Sequence, residues 1–119
     1  MFYTRFGTGI SRGNVVSVRI PSGEYYIKRV VAVGGDEVDL RDGVLYINGQ
    51  PEEGSYVRGV TKPESGSVTY PFTVAEGDYF VLGDNREESV DSRSFGTVSG
   101  SQIRGVIRFS IGWLWIHFH

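Results

Sequence analysis

Apolar and polar residues follow one another along this chain in short runs, each closed by a turn signal. Val15 to Ile20 alternates weakly and is rich in β-branched residues, which predicts a strand. Pro21-Ser22-Gly23-Glu24 makes a turn, and Tyr25 to Val33 follows as a longer strand, apolar on both faces except at Lys28 and Arg29. Gly34-Gly35-Asp36 breaks that run. Glu37 to Leu40 and Val44 to Ile47 flank Arg41-Asp42-Gly43, whose Asp-Gly pair is a hairpin signal, and Asn48-Gly49 is a second turn of the same kind. Pro51 to Ser67 is polar and without periodicity, which predicts a mobile surface loop. Val68 to Val74 and Tyr79 to Leu82 read as strands around the turn Ala75-Glu76-Gly77-Asp78, and Gly83 to Gly100 is polar and turn-rich. Ile103 to Ile116 is mostly β-like, with Gly105 and Gly112 marking bends or bulges. No amphipathic helix of useful length is visible, so the pattern predicts an all-β barrel or sandwich in one domain spanning 1–119.

Composition narrows the picture. With 119 residues, 39% apolar and 22% charged, the chain suits one folded domain with a modest core. A net charge of −2 without any Lys/Arg cluster argues against nucleic acid as a partner. The absence of cysteine excludes disulfides, thiol catalysis and Cys-based zinc sites. No apolar stretch reaches the ~18–20 residues of a membrane span, and no apolar region of a signal peptide follows Met1. Ile111 to Ile116 reads as a closing core strand, or as an aromatic patch (Trp113, Trp115) for a membrane interface. His117 and His119 have no carboxylate nearby and make a poor metal site, so a frayed tail is expected there, and no metal or cofactor is expected anywhere.

Two segments place charge where a β-domain ordinarily would not. In the strand from Tyr25, strict alternation puts Lys28 on a face with Tyr26, Val30 and Ala32, and Arg29 on the other with Ile27, Val31 and Val33. A lysine among apolar neighbours loses proton affinity and can become a general base near neutral pH. An edge-strand lysine that snorkels into water fits the same pattern. The second segment is Gly83-Asp84-Asn85-Arg86-Glu87-Glu88-Ser89-Val90-Asp91-Ser92-Arg93-Ser94-Phe95-Gly96. Such a loop can brace itself with Asp/Arg hydrogen bonds and present one hydroxyl to a neighbouring strand, or it can be a solvated charged turn.

Taken together, the two segments resemble a known family. Tyr26 to Asp36 is similar to the lysine box of type I signal peptidases, and Gly83-Asp84-Asn85-Arg86, Ser89, Asp91-Ser92-Arg93 and Phe95-Gly96 to their last signature box. Arg12-Gly13-Asn14-Val15-Val16 resembles the preceding box, usually Arg-Gly-Asp, with Asn14 as a departure. The resemblance covers nearly all of the chain in order and spacing. It implies a small barrel-like, coiled β-sheet domain of the signal peptidase and self-cleaving repressor type, and a serine endopeptidase with a Ser/Lys dyad that removes signal peptides from exported preproteins. On this resemblance Lys28 is the general base and Ser89 orients its amine. Asp84 pairs with Arg29 and Asp91 with Arg93, with Asn85 and Arg86 in the same structural support. Tyr25, Tyr26 and Ile27 line the peptide cleft, where an extended substrate adds a strand. The implied location is the cell membrane, with this domain on the extracytoplasmic side.

One departure matters for activity. The family nucleophile lies in a Ser-Met-x-Pro motif, and neither Ser-Met nor Ser-x-x-Pro occurs in the 119 residues. The expectation is a chain without its anchor and nucleophile, inactive as it stands and of the compact form found in Gram-positive bacteria. The alternative is a non-catalytic relative that binds extended peptides or assists surface-protein assembly. A self-cleaving repressor is disfavoured by the full Gly-Asp-Asn-Arg box and the lack of a basic patch.

Overall fold

The computed structural model describes residues 2–4, 9–66 and 68–108, and the side chains of 9–66 and 68–107. The strands are β1 (Phe2–Thr4), β2 (Val15–Arg19), β3 (Tyr25–Val33), β4 (Glu37–Arg41), β5 (Val44–Ile47), β6 (Gln50–Pro51), β7 (Phe72–Thr73), β8 (Asp78–Leu82), β9 (Val98–Ser99) and β10 (Ile103–Arg108). They form a six-stranded sheet in the order β1-β10-β2-β3-β8-β9 and a four-stranded sheet in the order β6-β5-β4-β7. All pairings between these strands are antiparallel. The expected all-β class is correct, although no closed barrel forms among the described strands.

β2 lies between β10 and β3, and Val15 to Val18 are buried without interruption. A strand covered on both faces needs no polar alternation, which accounts for its weak pattern. The β4–β5 and β5–β6 hairpins turn at Asp42-Gly43 and Asn48-Gly49. All four residues have positive φ (49°, 80°, 53° and 81°), as a turn of this hand requires.

β3 departs from strict alternation. It pairs with β8 as Arg29↔Leu82 and Val30↔Val81, then as Ala32↔Phe80, so Val31 is an extra residue in the ladder. An extra residue exchanges the faces of everything beyond it. Val30 therefore packs with Val16, Val18 and Val81, while Ala32 joins Phe80, Leu82, Val38 and Leu45 in the core between the sheets. Val33 packs back on the Val30 side. The expectation that Ala32 shares a face with Lys28, and Val33 with Arg29, is thus corrected by the bulge. A second register shift, between Ile103 and Gly105, occurs in β10 near the glycine that marked it.

Asp36, at the corner where the chain passes from one sheet to the other, ties the two together. Its carboxylate accepts from the Val33 backbone N–H at 2.9 Å, the Asn48 amide at 2.9 Å and the Arg12 guanidinium at 3.0 and 3.2 Å. Burial pushes its pKa up, but these donors outweigh it and hold the group below its ordinary value.

Three further expectations change. The strand predicted over Val68 to Val74 shrinks to Phe72–Thr73, because Pro71 has no N–H to give a ladder. The short strand β1 was not foreseen. Of the loop predicted over Pro51 to Ser67, residues 51–66 are pinned to the charged loop that follows β8. Trp113, Trp115, His117, His119 and the strand predicted beyond Arg108 lie outside the described residues.

Candidate active site

β3 carries Lys28 and Arg29 on opposite faces, and β8 ends beside them at Leu82 before the charged loop begins. Lys28 is only 2% exposed. Its Nζ donates to Ser89 Oγ at 2.9 Å and lies 5.5 Å from the centre of the Tyr26 ring. Burial lowers the pKa of the amine below its usual range; the charges of Asp91, Asp84 and Glu64 oppose this and Arg93 reinforces it.

The loop holds Ser89 in place through its backbone. The Gly83 N–H donates to Ser89 Oγ and to Asp91 Oδ2, both at 3.1 Å. Asp91 caps a short helix, α1 (Ser92–Phe95), by accepting the Arg93 N–H at 3.2 Å. The same carboxylate takes the Arg93 guanidinium at 2.9 and 2.8 Å. Ser92 Oγ accepts the Val81 N–H at 2.8 Å, fastening α1 to β8. On the other face, Arg29 makes a two-pronged contact with Asp84 at 2.9 and 2.8 Å, and its guanidinium stacks 3.9 Å from the Tyr56 ring.

Residues 52–66 form a strap stitched across this loop. Arg58 and Asn85 pair as a parallel bridge, with Arg58 N–H to Asp84 O and Arg86 N–H to Arg58 O each at 2.9 Å. Arg86, 1% exposed, reaches the Glu52 carboxylate at 2.6 and 2.8 Å, Thr61 Oγ1 at 3.0 Å and Gly83 O at 2.9 Å. Arg93, also 1% exposed, donates to Lys62 O at 3.2 Å and Arg86 O at 2.7 Å. The mobile loop expected here is instead anchored by two buried arginines. Sequence reasoning missed Glu52, Thr61 and Tyr56 because a segment without periodicity gives no sign of which side chains point inward.

Of the residues expected to meet substrate, Tyr25 is exposed while Tyr26 and Ile27 are half-buried. Strands β2 and β3 pair along Tyr25–Arg29, with Val30 N–H bonded to Asn14 O. Alternation then turns the backbone groups of Tyr26 and Lys28 toward β2, and those of Tyr25 and Ile27 toward the opposite edge. Pairing with β8 begins only at Arg29, so among the described residues no strand occupies that edge beside Tyr25–Lys28. The ring of Phe95 lies 6.3 Å from that of Tyr26. Among the described residues, no group of His, Cys, Asp and Glu could hold a metal, and no helix is long and apolar enough to cross a membrane.

Fold and site together define an all-β domain built around a buried lysine that meets a serine on a self-braced charged loop. The family model described as signal peptidase, peptidase S26, matches residues 2–113. Signal peptidase IB of Staphylococcus aureus (strain Mu50) is 36% identical over 115 residues, which cover 85% of this chain and 60% of that protein. Signal peptidase I V of Bacillus subtilis (strain 168) is 35% identical, covering 89% of this chain and 68% of that protein. A crystal structure of a signal peptidase I from Enterococcus faecalis V583 superposes with a TM-score of 0.73 at 34% identity, covering 85% of this chain and 98% of that one. The chain belongs to the signal peptidase family, peptidase S26. It spans 60% of the length of the Staphylococcus relative.

Proposed function

We propose that these 119 residues are the catalytic β domain of a type I signal peptidase, a serine endopeptidase that removes signal peptides from exported preproteins at the membrane surface. The observation that carries this reading is the Lys28 amine, buried and held 2.9 Å from Ser89 Oγ. Burial favours the neutral amine that a general base needs. Ser89 receives an N–H from Lys28, so it fixes the direction of the amine without consuming its lone pair. That lone pair then takes the proton of a nucleophilic serine as it attacks the peptide carbonyl, and returns it to the departing amine. The serine itself belongs to a Ser-Met-x-Pro segment outside these residues, in keeping with the longer relatives.

The substrate binds as an added strand along the edge at Tyr25 and Ile27 that no described strand occupies, with small side chains directed beside Tyr26 and Ile27. Arg29–Asp84 and Arg93–Asp91 keep β3 and the loop in register, with Asn85 and Arg86 in the same brace. The membrane anchor lies outside these residues, and the domain works on the extracytoplasmic side of the cell membrane.

In a full-length chain, Lys28→Ala should abolish preprotein cleavage while the protein stays folded, and normal turnover by that variant would sink the dyad. Ser89→Ala should slow cleavage without ending it. A second reading rests on the missing Ser-Met pair: a non-catalytic relative that binds extended peptides. The intact mass of the native protein, taken from membrane and soluble fractions of its source cells, separates the two. A membrane species several kilodaltons above 13.2 kDa with Ser-Met-x-Pro in the extra sequence supports the enzyme. A native mass of 13.2 kDa supports the binding protein.

A further inference from the structure

A continuous line of hydrogen bonds runs from the second sheet to the Lys28 amine. Glu52 directly follows β6, the edge strand of the four-stranded sheet, and its carboxylate receives both terminal nitrogens of Arg86 at 2.6 and 2.8 Å. The Arg86 Nε donates to Gly83 O at 2.9 Å. The N–H of the same Gly83 donates to Ser89 Oγ at 3.1 Å, and Ser89 Oγ is the acceptor for Lys28 Nζ at 2.9 Å. Glu52 is thus linked to the Lys28 amine without touching it.

The arrangement is directional. Arg86 is a planar fork, and a carboxylate that binds its two terminal nitrogens fixes the plane of the whole group. Fixing that plane fixes where Nε points, and so where the Gly83 carbonyl is held. The carbonyl and the N–H of Gly83 belong to successive peptide planes that meet at its Cα, so holding one plane through Arg86 and the other through Ser89 and Asp91 fixes both dihedrals of a residue that would otherwise turn freely. Thr61 supports the same arginine from the strap, its hydroxyl accepting from Arg86 at 3.0 Å. The carboxylate is itself little exposed, at 8% for the side chain, so the pair is not a loose surface contact.

We propose that Glu52 is a positioning residue for the general base: it aims Arg86, and through Gly83 and Ser89 it sets the direction and depth of burial of the Lys28 amine. The inference rests on the reading of Lys28 as that base. Losing the carboxylate lets Arg86 swing, loosens Ser89 and admits water to the amine, whose pKa then rises toward its ordinary value.

The test compares Glu52→Gln, Thr61→Val and Lys28→Ala with the parent in a full-length, nucleophile-bearing chain. Glu52→Gln keeps the shape of the side chain and one acceptor, and Thr61→Val removes a different Arg86 contact without changing charge. Both should lower kcat, Glu52→Gln by about 10-fold and Thr61→Val by less, with KM held within 2-fold. Both should move the acidic limb of the kcat profile to higher pH, and Glu52→Asp should recover less than Glu52→Gln because it is too short to reach. A variant that merely loosened the fold would lower the amount of active enzyme and leave the limb where it was. If Lys28→Ala is inactive while both Arg86-contact variants fold and keep the parental kcat and limb, the positioning role is wrong and the dyad stands. If Lys28→Ala turns over normally, the underlying reading has failed and the proposal falls with it.

Discussion

Replacing Gly83 by alanine adds one methyl group where β8 runs into the charged loop. That methyl carbon would lie 2.6 Å from Ser89 Cβ and 3.3 Å from Lys28 Nζ, and would overlap Ser89 Oγ. Carbon atoms in ordinary contact sit about 3.5–4.0 Å apart, so Ser89 must retreat by roughly 1 Å. Gly83 is not among the residues of positive φ, so the conflict is steric and not a matter of backbone strain. A retreat of that size breaks the 2.9 Å bond to Lys28 and the 3.1 Å bond to the Gly83 N–H. Misplacement by about 1 Å can reduce catalysis by about 100-fold, and overpacking typically destabilises by about 1–3 kcal/mol. At about 4 °C per kcal/mol for a domain of this size, the melting temperature should drop by roughly 4–12 °C. The assay is preprotein cleavage by the full-length chain, with calorimetry on the same protein. Adding Ser89→Gly to Gly83→Ala removes the overlapping atoms, so stability should return while activity stays low. Full activity in Gly83→Ala alone would refute the claim that Ser89 and Lys28 must be in contact.

Three other outcomes follow from the same structure. Lys28→Met should raise the melting temperature at neutral pH, because it removes an amine whose burial disfavours its charge. The folded pKa lies below the unfolded one, so the unfolded chain binds more protons between the two, and the parent gains stability as pH rises through that window. The advantage of Lys28→Met should therefore fade toward pH 10.5, as calorimetry over a pH series will show. Asp36→Asn should destabilise by about 2 kcal/mol at pH 7 by urea titration, the loss of a charged acceptor. Its folded pKa lies below 3.8, so the parent holds this stability above that value and loses it as pH falls through the folded pKa, where the two chains should converge. Tyr70→Phe should be neutral or stabilising by up to about 1 kcal/mol, because the buried Tyr70 hydroxyl has no hydrogen-bond partner among the described residues and its pKa is pushed up to about 12, chiefly by burial. A loss above about 1 kcal/mol on urea titration would mean that this hydroxyl has a partner.

How much of this was legible in the chain depends on the range of the determining contact. The hairpin turns at Asp42-Gly43 and Asn48-Gly49 are local, set by residues that accept positive φ, and were read directly. Lys28 and Ser89 lie 61 positions apart, and no periodicity joins them; only the resemblance of two motifs brought them together. Glu52 and Thr61 meet Arg86 across 34 and 25 positions from within a segment that has no pattern, so nothing marked them. The extra residue at Val31 left no trace either, since Val30, Val31, Ala32 and Val33 are all apolar and the choice of face is made by pairing with β8.

That extra residue makes β3 a strand with two phases. Its first half is keyed to the lysine and its second half to the corner at Asp36. Deleting Val31 would close the ladder with Ala32 still opposite Phe80, in the core between the sheets, and Val33 still on the Val30 side. What the bulge changes is the parity of the sequence: Lys28 and Ala32, four residues apart, turn to opposite faces, where a regular strand would set them on one. The lysine and the corner are thus matched through the pairing of β3 with β8, and a count of residues between them does not predict it.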